Sequence, residues 1–432
     1  MITKEIIDQI EGEASIYFDM QDGKVDFADI VFPHFRGMEN ILQGKNALDA
    51  LLITPRVCGI CGHSHLMAAV RAIEDAYGNS GQIVKLTQKA HNIRELTLTL
   101  EIIQNHFKWI YMVLIPKLNS LNNNALQETP LKGAYAASLA TKAMSVLSGQ
   151  WPHSSYMVPG GVTCDPTYIE IMQAKASIEK LIAFFERESL NISLKDFLRF
   201  ESCKELNELF SDISKIEEQL IMLNMHQKGF SYDTFIVLGE HAFSKKAKIK
   251  MTRVTGVDVN HVSTEEPFIL NERSYAENAL YKNIFHETGP MARLMSKNIK
   301  FIKNMHRRYK DSAYTRVMAR IYETGYLLEH ALNLVSSIDV TQKSIIPLNG
   351  IDKVTARGIG VVEAPRGPLI HKIVLQDGII ENYKIITPTQ WNISSGPRSK
   401  LSPAQKAMSG LSKKEAEFIF RTFDVCSVCT TH

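Results

Sequence analysis

The chain of 432 residues has few cysteines, six in all, and no long apolar run. Its longest strongly apolar stretch, Trp109 to Pro116, is far shorter than the roughly 20 apolar residues that span a bilayer. The N-terminus, Met1 to Glu13, carries acidic residues where a signal peptide has a basic and then an apolar region. Neither sign of charge dominates, because the formal net charge is only +3. These absences predict a soluble chain with no direct membrane span, no export signal and no nucleic-acid partner.

The composition, with 45% hydrophobic and 22% charged residues, is that of a globular protein large enough to bury a substantial core. The basic runs Lys245 to Arg253 and Lys297 to Lys310 are typical of solvated faces. Since no repeat, low-complexity tract or linker interrupts the chain, we expect one compact domain over residues 1–432. Four of the six cysteines form Cys-x-x-Cys pairs, which fits a reducing compartment and metal ligation better than a disulfide framework.

Two β-hairpin signals flank a long helical middle. Asp22-Gly23 and Asp377-Gly378 each stand between strand-like runs, and this dipeptide takes the positive φ angles of a two-residue hairpin turn. Apolar residues recur at helical spacing in the middle, where Asp165-Pro166 supplies a predicted cap and first-turn proline. The pattern predicts an α+β, predominantly α fold, a large helical bundle core with small antiparallel β-hairpins near the N-terminus and before the C-terminal segment. The predicted helices cover residues 85–118, 166–190, 203–224, 288–310 and 313–336.

The two Cys-x-x-Cys pairs stand near opposite ends of the chain. Thiolates bind soft metals, although a single pair also suits a redox site or structural zinc. A structural zinc ribbon separates its pairs by roughly 15 to 20 residues, whereas nearly the whole chain lies between these two. Closing so long a loop costs on the order of 5 kcal/mol in chain entropy, so we expect the metal to enter an almost finished structure. A zinc-stabilised interaction protein is the alternative on these features alone. The residues concerned are Cys58 and Cys61, followed by His63 and His65, and Cys426 and Cys429, followed by His432.

Several separated blocks resemble the large subunit of nickel-iron hydrogenases, and their order agrees over nearly the full length. The Arg-x-Cys-Gly-x-Cys-x-x-x-His signature stands at Arg56 to His65, and Asp-x-Cys-x-x-Cys-x-x-His closes the chain at Asp424 to His432. The other matching blocks are Ile10-Glu11-Gly12, Arg36-Gly37-Met38-Glu39, Glu287 to Arg293, Glu363-Ala364-Pro365-Arg366-Gly367, Pro388-Thr389 and Trp391-Asn392.

The resemblance implies a binuclear metal centre on the four cysteines. All four thiolates would bind nickel. Cys61 and Cys429 would also bridge to an iron that bears carbon monoxide and cyanide, while Cys58 and Cys426 would be terminal nickel ligands. Soft sulfur ligands that are shared in this way hold two redox metals close together.

The resemblance also implies a proton path and an electrostatic support. Cys426 would pass a proton to Glu11, the first carrier outward. Arg366 would place its guanidinium over the open face of the metals, either as a base or as an electrostatic support. The plain alternatives are a surface carboxylate for Glu11 and, for Arg366, a structural pairing with a carboxylate such as Asp424.

Further residues would surround the metals or bind a separate cation. By the resemblance, His65 would donate to a bridging sulfur, with a buried structural histidine as the alternative. The cyanide pockets would be lined by Pro365, Arg366 and Thr389, and Pro388 and Asp424 belong to the same surrounding set. Magnesium or iron near the C-terminus would be bound by Glu39, the backbone carbonyl of Ile385 and His432.

The sequence departs from the family pattern without losing a metal ligand. Gln9 replaces a frequent arginine, Glu13 a frequent histidine, and Val425 the usual proline. The sequence does not place the aspartate that many members carry on the helix near His106 to Pro116, so the surroundings of Arg366 are open.

The remaining cysteines, Cys164 and Cys203, are too few to hold a four-thiolate iron-sulfur cluster. The resemblance therefore implies a small subunit bearing iron-sulfur clusters as partner in an obligate heterodimer, possibly within a larger assembly. We expect a cytoplasmic location, or membrane association through partner subunits. The chain stops at His432, so it is expected either to be a processed form or to have no C-terminal extension.

The expected function is the reversible heterolytic cleavage or oxidation of dihydrogen to protons and electrons. Dihydrogen and protons are therefore the expected substrates. Within the family, the chain looks most like the cytoplasmic uptake or hydrogen-sensing members. The alternative function is a regulatory hydrogen-sensing subunit with the same metal site and low turnover. A third hypothesis is a redox-inactive relative of the complex I type. Retention of all four cysteines, together with His65 and His432, argues against this third hypothesis.

Overall fold

The computed structural model describes residues 2–8, 12–122, 126–238, 248–250 and 258–432. Within these ranges the chain is predominantly helical with small antiparallel sheets, as the sequence predicted. The helices are α1 Met38–Leu42, α2 Ala50–Ile53, α3 Gly62–Asn79, α4 Gln88–Trp109, α5 Ile115–Leu121, α6 Pro130–Ser148, α7 Tyr168–Phe184, α8 Leu194–Phe197, α9 Asp212–Met222, α10 Pro290–Lys297, α11 Lys300–Tyr309, α12 Ala313–Ser336, α13 Pro388–Asn392, α14 Pro403–Met408, α15 Lys413–Thr422 and α16 Ser427–Thr430. The strands are β1 Ile2–Ile7, β2 Ala14–Gln21, β3 Lys24–Val31, β4 Met157–Val158, β5 Gly161–Val162, β6 Phe235–Val237, β7 Lys248–Lys250, β8 Val262–Glu265, β9 Asn278–Tyr281, β10 Ala356–Ala364, β11 Gly367–Gln376 and β12 Ile379–Ile386.

Both predicted hairpins are present. Strands β2 and β3 pair around Asp22 and Gly23, whose φ angles are 51° and 74°. Strands β11 and β12 pair around Asp377 and Gly378, with φ angles of 48° and 72°. Each hairpin carries a third antiparallel strand that the sequence pattern missed, β1 beside β2 and β10 beside β11. Strand β10 contains two glycines, which weaken the strand signal in the sequence.

The long helices α4, α6, α7 and α12 pack against one another and form the helical core. The helices predicted over 85–118, 166–190 and 313–336 are confirmed. Helix α4 continues through a π-helical turn, Ile110–Leu114, into α5, and α7 ends in a second one, Phe185–Leu190. The helical core therefore combines predicted helices with α6, which the sequence analysis missed.

Two of the predicted helices are interrupted. In the predicted helix 203–224, a 3₁₀ turn over Cys203–Glu208 ends at the extended residue Leu209 before α9 begins. The predicted helix 288–310 is two helices, α10 and α11, because Asn298 has a left-handed φ of 63°. Asparagine tolerates this conformation, which ends a helix.

The predicted start of α7 is wrong. Asp165 and Pro166 precede the helix, and Thr167 caps it: the Thr167 side chain accepts from the Glu170 N–H, and the Glu170 carboxylate accepts from the Thr167 N–H. This reciprocal pair satisfies the free N–H groups of the first helical turn. The true cap thus lies two residues after the predicted one.

Helix α3 lies directly against β10, where two strand glycines allow very close approach. A Cβ added at Gly358 would lie 2.0 Å from the carbonyl oxygen of Ala72, and one at Gly360 would lie 1.9 Å from that of Ala68. This contact fixes the helix that follows Cys61. Among the described residues, we find no helix with the length and apolar character needed to cross a membrane.

Candidate metal centre

Four cysteine side chains from both ends of the chain meet in the interior. Cys58 follows a 3₁₀ turn, Cys61 and Cys426 are the N-cap residues of α3 and α16, and Cys429 lies within α16. All four are buried, and their Sγ atoms lie within 4.8 Å of one another. The Sγ to Sγ distances are 2.9 Å from Cys426 to Cys429, 3.2 Å from Cys61 to Cys429 and 3.6 Å from Cys58 to Cys426. These separations exceed a disulfide bond of about 2.05 Å, so the four are free thiols that form one ligand set.

The cysteine thiols in this set differ in their pKa. Burial opposes the ionisation of Cys426, but hydrogen bonds from the neighbouring thiols and the charge of Arg366 outweigh it, and the pKa of Cys426 lies well below its usual value. Hydrogen bonds with the neighbouring thiols raise the pKa of Cys61, and burial raises that of Cys429. Four thiolates this close need a cation among them, because like charges repel strongly in a buried site. Four soft sulfur donors fit nickel and other soft metals.

Arg366 and Asp424 lie beside the thiols and pair with each other. Arg366 Nη2 lies 3.0 Å from Asp424 Oδ1, and Arg366 Nε donates to the backbone carbonyl of Asp424 at 2.9 Å. Arg320 on α12 takes the other carboxylate oxygen, with Nη1 at 2.6 Å from Oδ2, and its guanidinium stacks over Trp109 at 4.6 Å from the ring centroid. The pairing of Arg366 with Asp424 was an alternative in the sequence analysis, whereas Arg320 was missed.

The side chain that completes the surroundings of Arg366 is Asn105 on α4. With its amide oriented to suit both neighbours, Asn105 donates to Asp424 Oδ2 at 2.9 Å and accepts from Arg366 Nη2 at 3.2 Å. The sequence placed no partner for Arg366 on this helix, and the structure supplies an amide one residue before His106. The surroundings of Arg366 are therefore an amide and a shared carboxylate.

A cavity of about 280 Å³ opens beside Arg366 and Asp424. The π-helical turn after α4 supplies Met112 and Val113 to its apolar wall, and Ile60 from the first Cys-x-x-Cys segment adds to it. A π-helical turn inside a long helix frequently marks a functional site. The apolar wall suits a small uncharged molecule, and four charged side chains, those of Lys108, Arg366, Arg421 and Asp424, also line the cavity.

The three residues expected to bind a second cation lie together. The Ile385 N–H donates to Glu39 Oε1 at 2.6 Å, and His432 Nε2 lies 3.3 Å from the same oxygen. Lys384 Nζ lies 3.8 Å from Glu39 Oε2. Burial opposes the ionisation of Glu39, but His432 and Lys384 outweigh it and hold its pKa below the usual value. A carboxylate and an imidazole suit a divalent cation, although the contact of Ile385 is made by its N–H rather than by the expected carbonyl.

The other predicted residues lie as follows. Thr389 is buried, and its hydroxyl oxygen has no hydrogen-bond partner within the described part of the chain, so it is free to bind a small ligand. Pro388 begins α13 beside it. The carbonyl of Pro365 accepts from a buried arginine, Arg293 Nη2, at 3.0 Å. His65 Nδ1 lies 3.1 Å from a second histidine, and Glu11 lies outside the described residues.

Glu101 on α4 supports the first Cys-x-x-Cys segment, and the sequence analysis missed it. Its two carboxylate oxygens accept from the backbone N–H of His63 at 2.8 Å and of Ser64 at 3.0 Å, in the first turn of α3. Cys61, the N-cap residue of this helix, makes no side-chain cap of its own. Glu101 therefore caps the helix from a distance. An acid between apolar residues in the middle of a helical pattern was the available signal.

The fold and the buried thiols define a metalloprotein that holds a soft metal between the two ends of its chain. A family model described as nickel-dependent hydrogenase matches residues 36–116 and 206–432, and the chain belongs to that family. The chain is a hydrogenase, an enzyme that oxidises dihydrogen.

Relatives and solved structures agree with this assignment. The periplasmic [NiFeSe] hydrogenase large subunit of Desulfomicrobium baculatum is 23% identical and is matched over 100% of this chain and 94% of its own length. Sulfhydrogenase 2 subunit alpha of Pyrococcus furiosus is 25% identical, over 98% of this chain and 97% of its own. The crystal structure of a reduced, active form of the Ni-Fe-Se hydrogenase from Desulfomicrobium baculatum has a TM-score of 0.83 at 21% identity, with 100% of both chains covered. The fold is therefore that of these hydrogenase chains.

Proposed function

We propose that all four thiolates bind nickel and that Cys61 and Cys429 also bridge to an iron bearing carbon monoxide and cyanide. The observation that carries this proposal is the group of four buried Sγ atoms within 4.8 Å of one another. The Sγ atoms of Cys61 and Cys429 lie 3.2 Å apart and bring the two Cys-x-x-Cys segments together, as a shared pair of ligands must. When bound, the metals supply the binding and heterolytic splitting of dihydrogen.

The proton released by this splitting leaves through the protein. Cys426 has the terminal thiolate that takes it, and Glu11 is the next carrier. Arg366 acts as an electrostatic support rather than as a base, because its ion pair with Asp424 favours the protonated guanidinium. The guanidinium charge also favours the thiolate form of Cys426.

Small ligands and a second cation occupy the two polar sites nearby. The unpartnered hydroxyl of Thr389, beside Pro388, supports a pocket for one cyanide. By the same proposal, Pro365 and Arg366 also line the cyanide pockets. Glu39 and His432 bind magnesium or iron, with Ile385 holding Glu39 in place through its N–H.

The chain functions as one domain that passes electrons to a small subunit carrying iron-sulfur clusters. The names of the relatives support this partner, because they are a large subunit and a subunit alpha. The free thiols suit a reducing, cytoplasmic location, with or without membrane-bound partners. One relative, the [NiFeSe] hydrogenase large subunit, is named as periplasmic.

Infrared spectroscopy with metal analysis on the chain purified with its partner tests the metal centre. We expect nickel and iron, together with intrinsic carbonyl and cyanide bands. Zinc alone, without such bands, would contradict the proposal. Magnesium or additional iron in the same analysis would support the second cation site, and its absence from Glu39→Gln would assign that ion to Glu39.

Replacing Glu11 tests the proton path. Glu11→Gln should retain nickel and iron but suppress hydrogen-deuterium exchange at least tenfold, because only proton exit is lost and a positioned acid or base contributes about 10²- to 10⁴-fold. Exchange is measured by mass spectrometry of the gas phase. Glu13→Gln, two residues further on, is the matched control. Unchanged exchange in Glu11→Gln would remove Glu11 from the path.

A further inference from the structure

Three buried side chains from three elements form a hydrogen-bonded line beside the metal centre. His65 on α3 has its Nδ1 3.1 Å from His371 Nε2 on β11, and His371 Nδ1 lies 2.7 Å from the hydroxyl oxygen of Tyr383 on β12. Their exposed fractions are 1%, 0% and 4%. Water is therefore not available to satisfy these ring nitrogens, and the three groups depend on one another for hydrogen bonds.

The order of the protons in this line follows from the tyrosine. Within the described chain, the one hydrogen bond of the Tyr383 hydroxyl is with His371 Nδ1. A buried O–H needs an acceptor, so Tyr383 donates to Nδ1. A neutral His371 then carries its proton on Nε2 and donates to His65 Nδ1. A neutral His65 in turn carries its proton on Nε2.

Both histidines are neutral in this order, because each ring accepts a hydrogen bond at Nδ1 and a nitrogen that accepts carries no proton. The reverse order would leave the Tyr383 O–H without an acceptor in the described chain. An unsatisfied buried donor costs about 1–3 kcal/mol. The line therefore has one favoured direction, from the tyrosine toward His65.

The histidine end of the line lies close to the thiols. His65 lies one helical turn after Cys61, and its backbone N–H donates to the carbonyl of Cys61 at 3.2 Å. The charge of Cys58 also acts on the His65 ring. At the other end, the charge of Glu39 acts on Tyr383. The line thus runs from the helix that follows Cys61 to the strand that carries Ile385.

We propose that His371 and Tyr383 are positioning residues that fix His65 as an N–H donor toward the metal-binding thiolates. This inference rests on the proposed metal centre only for its effect on the metals. The orientation of the protons is a property of the three side chains themselves. Such outer hydrogen bonds fix the tautomer of a histidine and tune the metal through its sulfur ligands.

The proton order is tested first without reference to nickel. Solid-state ¹⁵N spectra are recorded on the full-length chain labelled at histidine, and the His371 signals are identified as those lost in His371→Gln. We expect a protonated Nε2 and a bare Nδ1. In Tyr383→Phe the bare Nδ1 loses its donor, and this single tautomer should be lost or its Nδ1 signal shifted. A protonated Nδ1 in the wild type would overturn the proposal.

The effect on the metals is tested in the complex with the partner subunit. Tyr383→Phe and His371→Leu should keep nickel but move the intrinsic carbonyl and cyanide bands to lower wavenumber, because a thiolate without its hydrogen-bond donor gives more electron density to the metals. His371→Gln offers a carbonyl to Tyr383 and an N–H to His65, so its bands should stay near those of the wild type. Tyr322→Phe, which removes a hydroxyl bonded to the Leu198 carbonyl, is the control.

Bands that stay in place in both Tyr383→Phe and His371→Leu would overturn the proposal. If the wild-type complex has no such bands, the proposed metal centre fails instead, and the nitrogen spectra still decide the order of the protons.

Discussion

Asn105 places a neutral amide between Asp424 and Arg366 beside the thiols. Since Arg320 also binds Asp424, two guanidinium groups share one carboxylate there. The excess positive charge favours the thiolate forms of the cysteines. Because the amide is neutral, it leaves this positive charge in place next to the metal centre. An acid in its place would reduce that charge.

Asn105→Asp should make hydrogen oxidation pH-dependent. The new carboxyl would take the place of an amide that lies 2.9 Å from Asp424 Oδ2, and two carboxyls this close raise the pKa of one of them. We expect wild-type rates at low pH, where the new acid is neutral. As it ionises, the rate should fall by about tenfold, which corresponds to 1.36 kcal/mol of lost support.

The measurement for Asn105→Asp is the pH profile of hydrogen oxidation. Asn79→Asp adds an acid at the exposed end of α3 and is the control. A profile of Asn105→Asp parallel to that of the wild type would contradict the charge argument.

Glu101 carries a proton-dependent contribution to stability. Burial raises its pKa from 4.5 to about 7. A carboxyl whose folded pKa is raised binds its proton more tightly in the folded chain. The free energy of unfolding therefore decreases as the pH rises from about 4.5 to about 7. Above pH 7 the carboxyl is ionised in both the folded and the unfolded chain, so Glu101 adds no further pH dependence.

Glu101→Gln should remove this pH dependence. A shift from 4.5 to about 7 corresponds to about 3 kcal/mol, and the amide keeps an acceptor for the first turn of α3. Relative to the wild type, the variant should gain stability on going from pH 5 to pH 8. Urea unfolding midpoints at both pH values measure this, with the exposed Glu381→Gln as control. An equal pH dependence in Glu101→Gln and wild type would refute the assignment.

At the scale of elements, the packing of α3 on β10 positions one half of the metal centre. The helix begins directly after Cys61 and carries His65, so its distance from the strand sets where these groups lie. The strand approaches so closely only because Gly358 and Gly360 have no Cβ. Displacing α3 by an added methyl group would move the thiol and the histidine together.

Gly360→Ala should lower both stability and nickel content. Its Cβ would lie 1.9 Å from the Ala68 carbonyl oxygen and 2.5 Å from the Ala72 nitrogen, which are backbone atoms that cannot rotate away. Overpacking of this kind costs about 1–3 kcal/mol. The matched control is Gly78→Ala on α3, where an added Cβ meets no atom within 4 Å. This change should stabilise the folded chain by up to about 1 kcal/mol. Thermal unfolding midpoints and metal analysis compare the two; a Gly360→Ala chain with wild-type nickel would contradict the role of this contact.

At the scale of the whole molecule, the four thiols close a loop that contains almost the entire chain. One large cluster of buried apolar residues extends from Ile7 to Val425 and holds the fold together independently of any metal. The C-terminal residues Thr430, Thr431 and His432 are themselves buried. We therefore expect the folded chain to exist before the metals bind, as the long loop already suggested in the sequence.

A chain with all four thiol ligands replaced by serine should still fold. Cys58, Cys61, Cys426 and Cys429 contribute little apolar area, so the cooperative unfolding transition should remain, at a lower midpoint because buried hydroxyls without partners cost about 1–3 kcal/mol each. Circular dichroism during heating measures the transition. Cys164→Ser is the control outside the site. A chain without any cooperative transition would show that metal binding drives folding.

Much of this molecule was predictable from local patterns. The two Asp-Gly hairpins and the helices over 85–118, 166–190 and 313–336 depend on turn chemistry and periodicity within a few residues. The helix breaks at Leu209 and Asn298 were not predictable in this way, because a single backbone conformation ends each helix while the side-chain pattern continues.

The residues of the metal site likewise divide into those that the sequence predicted and those that it did not. The sequence by itself determined the four cysteines as metal ligands, since two Cys-x-x-Cys pairs indicate metal binding whatever the fold around them. It also determined the resemblance to hydrogenases, which depends on local blocks of residues. Only the tertiary structure decided which side chains surround them. Asn105, Glu101, Arg320, His371 and Tyr383 come from four separate helices and strands, and only Glu101 and Asn105, one turn apart on α4, are linked by local spacing. Their roles follow from packing that brings distant segments within hydrogen-bond distance, and periodicity along the chain does not encode which faces will meet.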